Sequence, residues 1–211
     1  MPKIIREING VPVFRENRLP FESMSLLSES IDILRKLKGQ RIVSVVKLIA
    51  NDPVRYLNDF PSIREDQLFS QAFGPVFFIM ENGFCAGFCD SILNVSLLVW
   101  QENFPLTIEE TSKKCIYFDK GCFIDCKDER LSNSYCASFV GCRIENLSIL
   151  MAHEPGARLA KNERGLLVGT NDGREFLMSM RLQENVHTGF VLMSRENIRE
   201  NIKKYITSIS I

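Results

Sequence analysis

Two stretches of the chain align with each other without a gap: KGQRIVSVVKLIANDPVRYLN from Lys38 to Asn58, and VGCRIENLSILMAHEPGARLA from Val140 to Ala160. One constant offset pairs Gly39 with Gly141, Arg41 with Arg143, Ile42 with Ile144, Leu48 with Leu150, Ala50 with Ala152, Pro53 with Pro155 and Leu57 with Leu159. Matches of Gly, Ile and Leu are common, but an ungapped run that also keeps Arg, Ala and Pro in step is hard to reach by chance. Self-similarity at a fixed offset constrains the fold before any local pattern does, because each copy must form the same supersecondary unit.

The local signals then say what the unit is. In the first copy, RIVSVVKLI reads as a strand, and Asn51-Asp52-Pro53 as a turn. Asp before Pro suits a helix N-cap with Pro at the first helical position, so a short helix is expected over 54–60. GPVFFIMENGFCAGFCD follows as two apolar runs joined at Glu81-Asn82-Gly83, the strongest short-range hairpin signal. VSLLVWQEN adds a strand. The second copy keeps this order: RIENLSILM is a strand and AHEPGARLA a turn. GLLVGTNDGREFLMSMRL is a hairpin around Asn171-Asp172-Gly173, and TGFVLMSREN is a closing strand.

Two flanking helices are expected. SESIDILRKLKG places Leu27, Ile31 and Leu34 on one face, with Gly39 as the stop. SRENIRENIKKYITSI starts at a Ser194 cap and sets Ile198, Ile202, Ile206 and Ile209 along a stripe, with Glu200 positioned to pair with Lys204. The expected fold class is therefore α+β and β-rich, with two pseudo-repeats of strand, turn, hairpin and strand between flanking helices. The expected organisation is an N-terminal segment and helix over 1–38 and repeat one over 39–110. A connector over 111–140, repeat two over 141–196 and a C-terminal helix over 197–211 complete one compact unit.

The copies differ in three ways. In the second, Phe176, Met178, Met180 and Leu182 alternate with Glu175, Ser179 and Arg181, which predicts a strand with one wet face. In the first, VFFIM and FCAGF are apolar on both faces, which predicts cover on both sides, with the 27–37 helix as the candidate cover. The first copy is also longer between its aligned Leu and its hairpin Gly, the surplus falling in NDFPSIREDQLFSQAF, and insertions between repeated elements map to loops that carry function. Finally, the span from Asn51 to Glu110 holds nine acids and only Arg55 and Arg64 as bases, a net charge near −7 in a chain whose total is zero. Such asymmetry points either to an acidic binding face or to a surface balanced by basic residues folded over it.

Composition excludes several classes. The zero net charge and singly scattered bases argue against direct nucleic-acid binding. No apolar run reaches the roughly 18 residues of a membrane span, and the N-terminus has no apolar core of an export signal. The seven cysteines then read as reduced thiols in a cytoplasm. Cys115, Cys122 and Cys126 supply three ligands where structural zinc wants four, and Cys85 and Cys89 on a strand lie about 13 Å apart, so no metal or other cofactor is expected. There is no nucleophile elbow, zincin motif or phosphate-binding loop. His153 lies in a repeat turn. Glu109-Glu110 reads as a helix start or exposed loop.

A charge-balanced to acidic α+β chain rich in NG and DG hairpins and free of catalytic motifs, with phrases such as LNVSLLVWQEN and DGREFLMSMRL, resembles bacterial immunity proteins of polymorphic-toxin and contact-dependent inhibition systems. The resemblance is one of style and carries no residues over. It implies a cytoplasmic, non-enzymatic inhibitor that binds a cognate toxin domain, in many such systems a basic nuclease. The acidic span fits that role independently. Asp52, Asp59, Glu65, Asp66 and Glu81 are the expected partner-binding acids, with Phe60 as an apolar anchor and Phe69 and Phe73 given to the core. Two other classes stand beside it. One is an enzyme with a site between the repeats, using Cys136, Cys142 and His187. The other is an assembly subunit whose first repeat is covered by another chain at Phe77 or Phe84.

Overall fold

The computed structural model describes residues 3–8, 11–15, 24–91, 96–108, 111, 121–152, 163–180, 182 and 190–211. The chain is α+β and is built on antiparallel sheets. Strands β1 (Lys3–Ile8) and β2 (Val11–Arg15) pair as a ribbon. The first sheet holds β3 (Ser25–Leu26), β4 (Ile42–Ala50), β5 (Val76–Met80), β6 (Cys85–Ser91), β7 (Ser96–Glu102) and β8 (Gly121–Asp125), in the order β3-β7-β6-β5-β4-β8. The second holds β9 (Ile144–Ala152), β10 (Glu163–Thr170), β11 (Glu175–Met180), β12 (Phe190–Met193) and β13 (Ile206–Ser210), in the order β12-β11-β10-β9-β13. Short helices α1 (Ile31–Leu37), α2 (Pro53–Asp59), α3 (Leu68–Gln71), α4 (Ser134–Ala137) and α5 (Glu200–Lys203) lie between strands.

Both predicted hairpins form, and for the expected reason. Gly83 and Gly173 occupy the left-handed region at φ 82° or within a degree of it, where a Cβ is costly. In each turn the glycine N–H donates to the last residue of the incoming strand, Met80 or Thr170, at 2.9 and 3.0 Å. The sheets also share pairing partners. Val45 faces Phe78 and Leu147 faces Val168, while Ala50 faces Gly121 and Ala152 faces Ile206. They meet at one corner, where Gly39 N–H donates to Ile144 C=O (2.7 Å) and Gly141 N–H donates to Ile42 C=O (2.8 Å), around a bridge between Arg41 and Arg143.

Inward-pointing residues of the two sheets form one core. Val45, Ile49, Phe78, Met80 and Phe88 from the first pack with Leu147, Ile149, Val168, Phe176 and Met178 from the second, and Leu27, Leu34 and Leu37 join them. The 27–37 segment therefore fills the space beside both sheets instead of covering the outer face of the first. On that outer face Leu48, Phe77, Cys85, Leu98 and Trp100 form a separate buried cluster with Met24. Phe77 is fully buried within its own chain, and Lys36 sits over the half-buried Phe84 ring, so neither residue offers the open apolar face an assembly subunit needs.

Two expectations need correcting. The outer face of β11 is not wet: Leu177 and Ser179 are buried, and Leu177 packs with Leu150, Val191, Ile198 and Ile202. The cover comes from residues 195–203, remote in sequence. The C-terminal helix over 197–211 is also replaced. A 3-10 turn over Arg195–Asn197, with the Ser194 hydroxyl accepting from Glu196 N–H, leads to the four-residue α5 and then to β13, which pairs with β9 from Ile206↔Ala152 to Ser210↔Ser148. The isoleucine spacing suits a helix, but β-branched Ile206, Thr207 and Ile209 also suit a strand, and the open edge of β9 decides. Lys203, not Lys204, contacts Glu200.

Candidate binding surface

The acidic span begins with α2, which leads into the 58–73 segment. Asp52 caps it as the sequence predicts, its carboxylate accepting from Arg55 N–H at 3.0 Å, with Pro53 at the first helical position. Tyr56 is the buried anchor of α2. Its hydroxyl accepts from Phe73 N–H at 2.7 Å, and its ring packs on Phe60, which in turn meets Phe73. This leaves Val54, Arg55, Asn58 and Asp59 exposed, with Val54 71% exposed beside the acids Asp52 and Asp59 and the base Arg55. Phe60 is half-buried against the core, which makes it a support for the surface more than an open anchor.

The 58–73 segment is not an open loop. Ile63, Leu68, Phe69 and Ala72 are buried, and Phe69 N–H donates to Leu131 C=O at 2.8 Å. A 3-10 turn over Glu65–Gln67 carries the two adjacent acids. Asp66 takes a two-pronged hydrogen bond from the Arg64 guanidinium (2.8 and 3.0 Å), which holds its carboxyl below the usual carboxylate range. Glu65 pairs with Arg130 at 3.5 Å, both side chains largely in solvent. Asp66 also lines a groove of about 700 Å³ with Cys126, Lys127, Glu129, Asn133 and Ala137.

Glu81 does not belong to this surface. Its backbone N–H donates to Arg41 C=O, at the start of β4, whereas Asp52 follows the end of β4. At about 3.3 Å per residue, the nine-residue strand separates them by roughly 26 Å. The Glu81 carboxylate instead bridges Arg41 (3.5 Å) and Arg143 (3.7 Å) at the corner between the sheets. Of the six expected partner-binding residues, Asp59, Phe60, Glu65 and Asp66 lie in the 58–73 segment, Asp52 caps the helix that leads into it, and Glu81 stands apart.

Behind the insertion lies a residue that the motif search passed over. Lys47 is fully buried in the middle of β4, on the inward side with Val45 and Ile49. Its Nζ donates to Ala72 C=O at 2.8 Å and stands 6.0 Å from the centre of the Phe69 ring. Burial drives its pKa down from the ordinary lysine value to about 7, against the opposing charge effects of Cys136 and Asp90. The signal lies in VVKLI: period-two alternation puts a lysine on an apolar face, where the aligned stretch has Ile149.

The candidate nucleophiles are held in their unreactive form. Burial pushes the Cys136 thiol up to about 11 and the Cys126 thiol up to about 12. Cys142 lies 3.0 Å from an Arg174 nitrogen but also 3.4 Å from Asp172, and burial with that carboxylate raises its pKa. A thiolate nucleophile needs the opposite shift. Among the described residues no group of three His, Cys, Asp or Glu side chains could hold a metal ion. His153, His187, Cys115, Glu109 and Glu110 lie outside the described residues.

No helix among the described residues is long and apolar enough to cross a membrane. Comparison with protein-family models, curated protein sequences and solved structures finds no match.

Proposed function

We propose that the chain is a non-enzymatic binding protein that neutralises a basic partner, a cognate bacterial toxin domain such as a nuclease, in the cytoplasm. The single observation that carries this reading is the outer side of α2, where Val54 stands exposed with the acids Asp52 and Asp59 against one exposed base, Arg55. Apolar contact flanked by acids fits a basic protein surface: opposite charge speeds encounter and sets specificity, while the buried apolar contact holds the complex. Glu65 adds a further exposed acid in the segment that follows α2. Its pairing with Arg130 is solvent-exposed and so costs little to exchange for a partner's cation. Asp66, held by Arg64, contributes less.

The same proposal covers the origin of the fold. We infer that the two sheets descend from one duplicated unit. The ungapped alignment, the two matching turns and the common strand pairings support it, and so does the paired hydrogen bonding about Arg41 and Arg143. On that view the 58–73 segment is what the first copy gained, and the acids of the binding face lie on it and on the helix that leads into it.

Affinity capture from a bacterial extract tests the reading, using the wild-type chain and an Asp59→Lys, Glu65→Lys chain at low and high salt. The expected result is one basic protein held by the wild type at low salt, weakened at high salt and lost by the reversed chain. Equal capture by both chains would remove the insertion from the interface. A complex indifferent to salt would remove the charge argument.

A further inference from the structure

We propose that Lys47 is a proton-operated latch that fastens the 64–73 insertion to the first sheet and releases it when the buried amine takes up a proton. The geometry rests on three facts. Lys47 is fully buried at the centre of β4, between Val76 of β5 and Ile124 of β8, so its side chain has no route to bulk water without local opening. Two of its contacts, Ala72 C=O and the Phe69 ring, belong to the 64–73 segment. The corresponding strand position in the second sheet, where no such insertion follows, is Ile149, which fills the same inward side with hydrocarbon.

A neutral amine still donates to Ala72 C=O. An ammonium in the same place carries the full cost of a buried charge, and opening the insertion to water relieves that cost. The titratable groups whose charge acts on it are Cys136 of α4 and Asp90 of β6, and Cys136 in turn acts on Tyr135 of α4 and Cys126 after β8. Asp90 is the carboxylate among them and opposes the release, but burial outweighs it. No other reactant is needed: the step is uptake of one proton by Nζ and its loss on closing. As regulation the latch rests on the binding reading, since Glu65 and Asp66 ride on the released segment. As a property of the chain it does not.

The test is amide hydrogen exchange on the intact free protein, corrected for the intrinsic pH dependence of exchange. The amides to read are those of Phe69, Ala72 and Phe73, which donate to Leu131 C=O, Leu68 C=O and the Tyr56 hydroxyl. With a closed-state value of about 7 and an ordinary lysine in the open state, protection should fall about 30-fold between about pH 8.5 and about pH 6. Lys47→Met should abolish that pH response. Lys47→Ile, copying the second sheet, serves the same end should the Met chain fold poorly. The ¹³Cε resonance of Lys47 in the wild type should titrate near neutrality, independently of any variant. Equal protection at both pH values, a variant that keeps the wild-type response, or a resonance flat across the neutral range would each overturn the latch. A normal latch in a chain that captures no basic partner would instead sink the binding reading alone.

Discussion

At the scale of single residues, the molecule is governed by a few buried groups whose surroundings leave them little freedom. Lys47 is one, and its stability effect has a definite sign. Its folded pKa, about 7, lies below the unfolded value, so between these values the unfolded chain binds more protons and stability rises with pH. Below about pH 7 both states are charged and the penalty is fully present. Lys47→Met should therefore stabilise the chain most at acid pH, with the gap from wild type closing toward pH 10 by up to about 1.4 kcal/mol per unit. Urea denaturation at several pH values reads this directly; a gap independent of pH would refute it. Gly87 is the second such position. A Cβ there would lie 2.3 Å from the Trp100 ring, which fills the space above β6. Gly87→Ala should cost about 1–3 kcal/mol through overpacking and shift the emission of Trp100, the single tryptophan. Neither role needed an unusual motif to be visible. A lysine on the inward side of an apolar strand, and a glycine inside a strand, are both departures from the local pattern. What the pattern could not supply was the partner, because Ala72 and Trp100 are placed by tertiary pairing.

At the scale of elements, legibility followed how local the cause was. The hairpins at Asn82-Gly83 and Asn171-Asp172-Gly173 and the cap at Asp52-Pro53 were readable, since turn chemistry acts within a few residues. The cover over β11 and the strand β13 were not, because each depends on an element brought from elsewhere in the chain. The acidic face was half readable: the acids were countable, but Arg130, which pairs with Glu65, lies beyond the counted span. Asp52 both caps α2 and carries charge, and these roles separate. Asp52→Asn should keep the cap and the melting temperature while weakening capture of a basic partner, whereas Asp52→Ala should also lose about 1 kcal/mol of stability. A fall in melting temperature with the Asn variant would show the charge to be structural. For β13, removing residues 205–211 strips the backbone partners from one side of β9 and exposes a long apolar edge. Size-exclusion chromatography should show association or aggregation of the shortened chain. A stable monomer with unchanged circular dichroism would mean that β9 needs no edge partner.

At the scale of the whole molecule, the question is whether two similar sheets make one cooperative unit or two. Their inward faces answer it. Phe176 of the second sheet packs 5.4 Å from Phe78 of the first and 4.4 Å from Phe139 of the connector before β9, and apolar residues of both sheets share one cluster. Separated, each sheet would turn that face to water, an exposure small domains of about 100 residues cannot easily offset. The corner hydrogen bonds between Gly39 and Ile144 and between Gly141 and Ile42 add a second tie, at the starts of β4 and β9. The expected behaviour is one unfolding transition. Trp100 fluorescence reports only the first sheet, while far-ultraviolet circular dichroism reports both, so the two urea curves should coincide. Phe176→Ala, which opens the shared core from the second sheet, should move both curves together by about 3–5 kcal/mol. Should the tryptophan curve stay in place while the dichroism curve moves, the sheets would be separate folding units, and the shared core would be a docking contact between them.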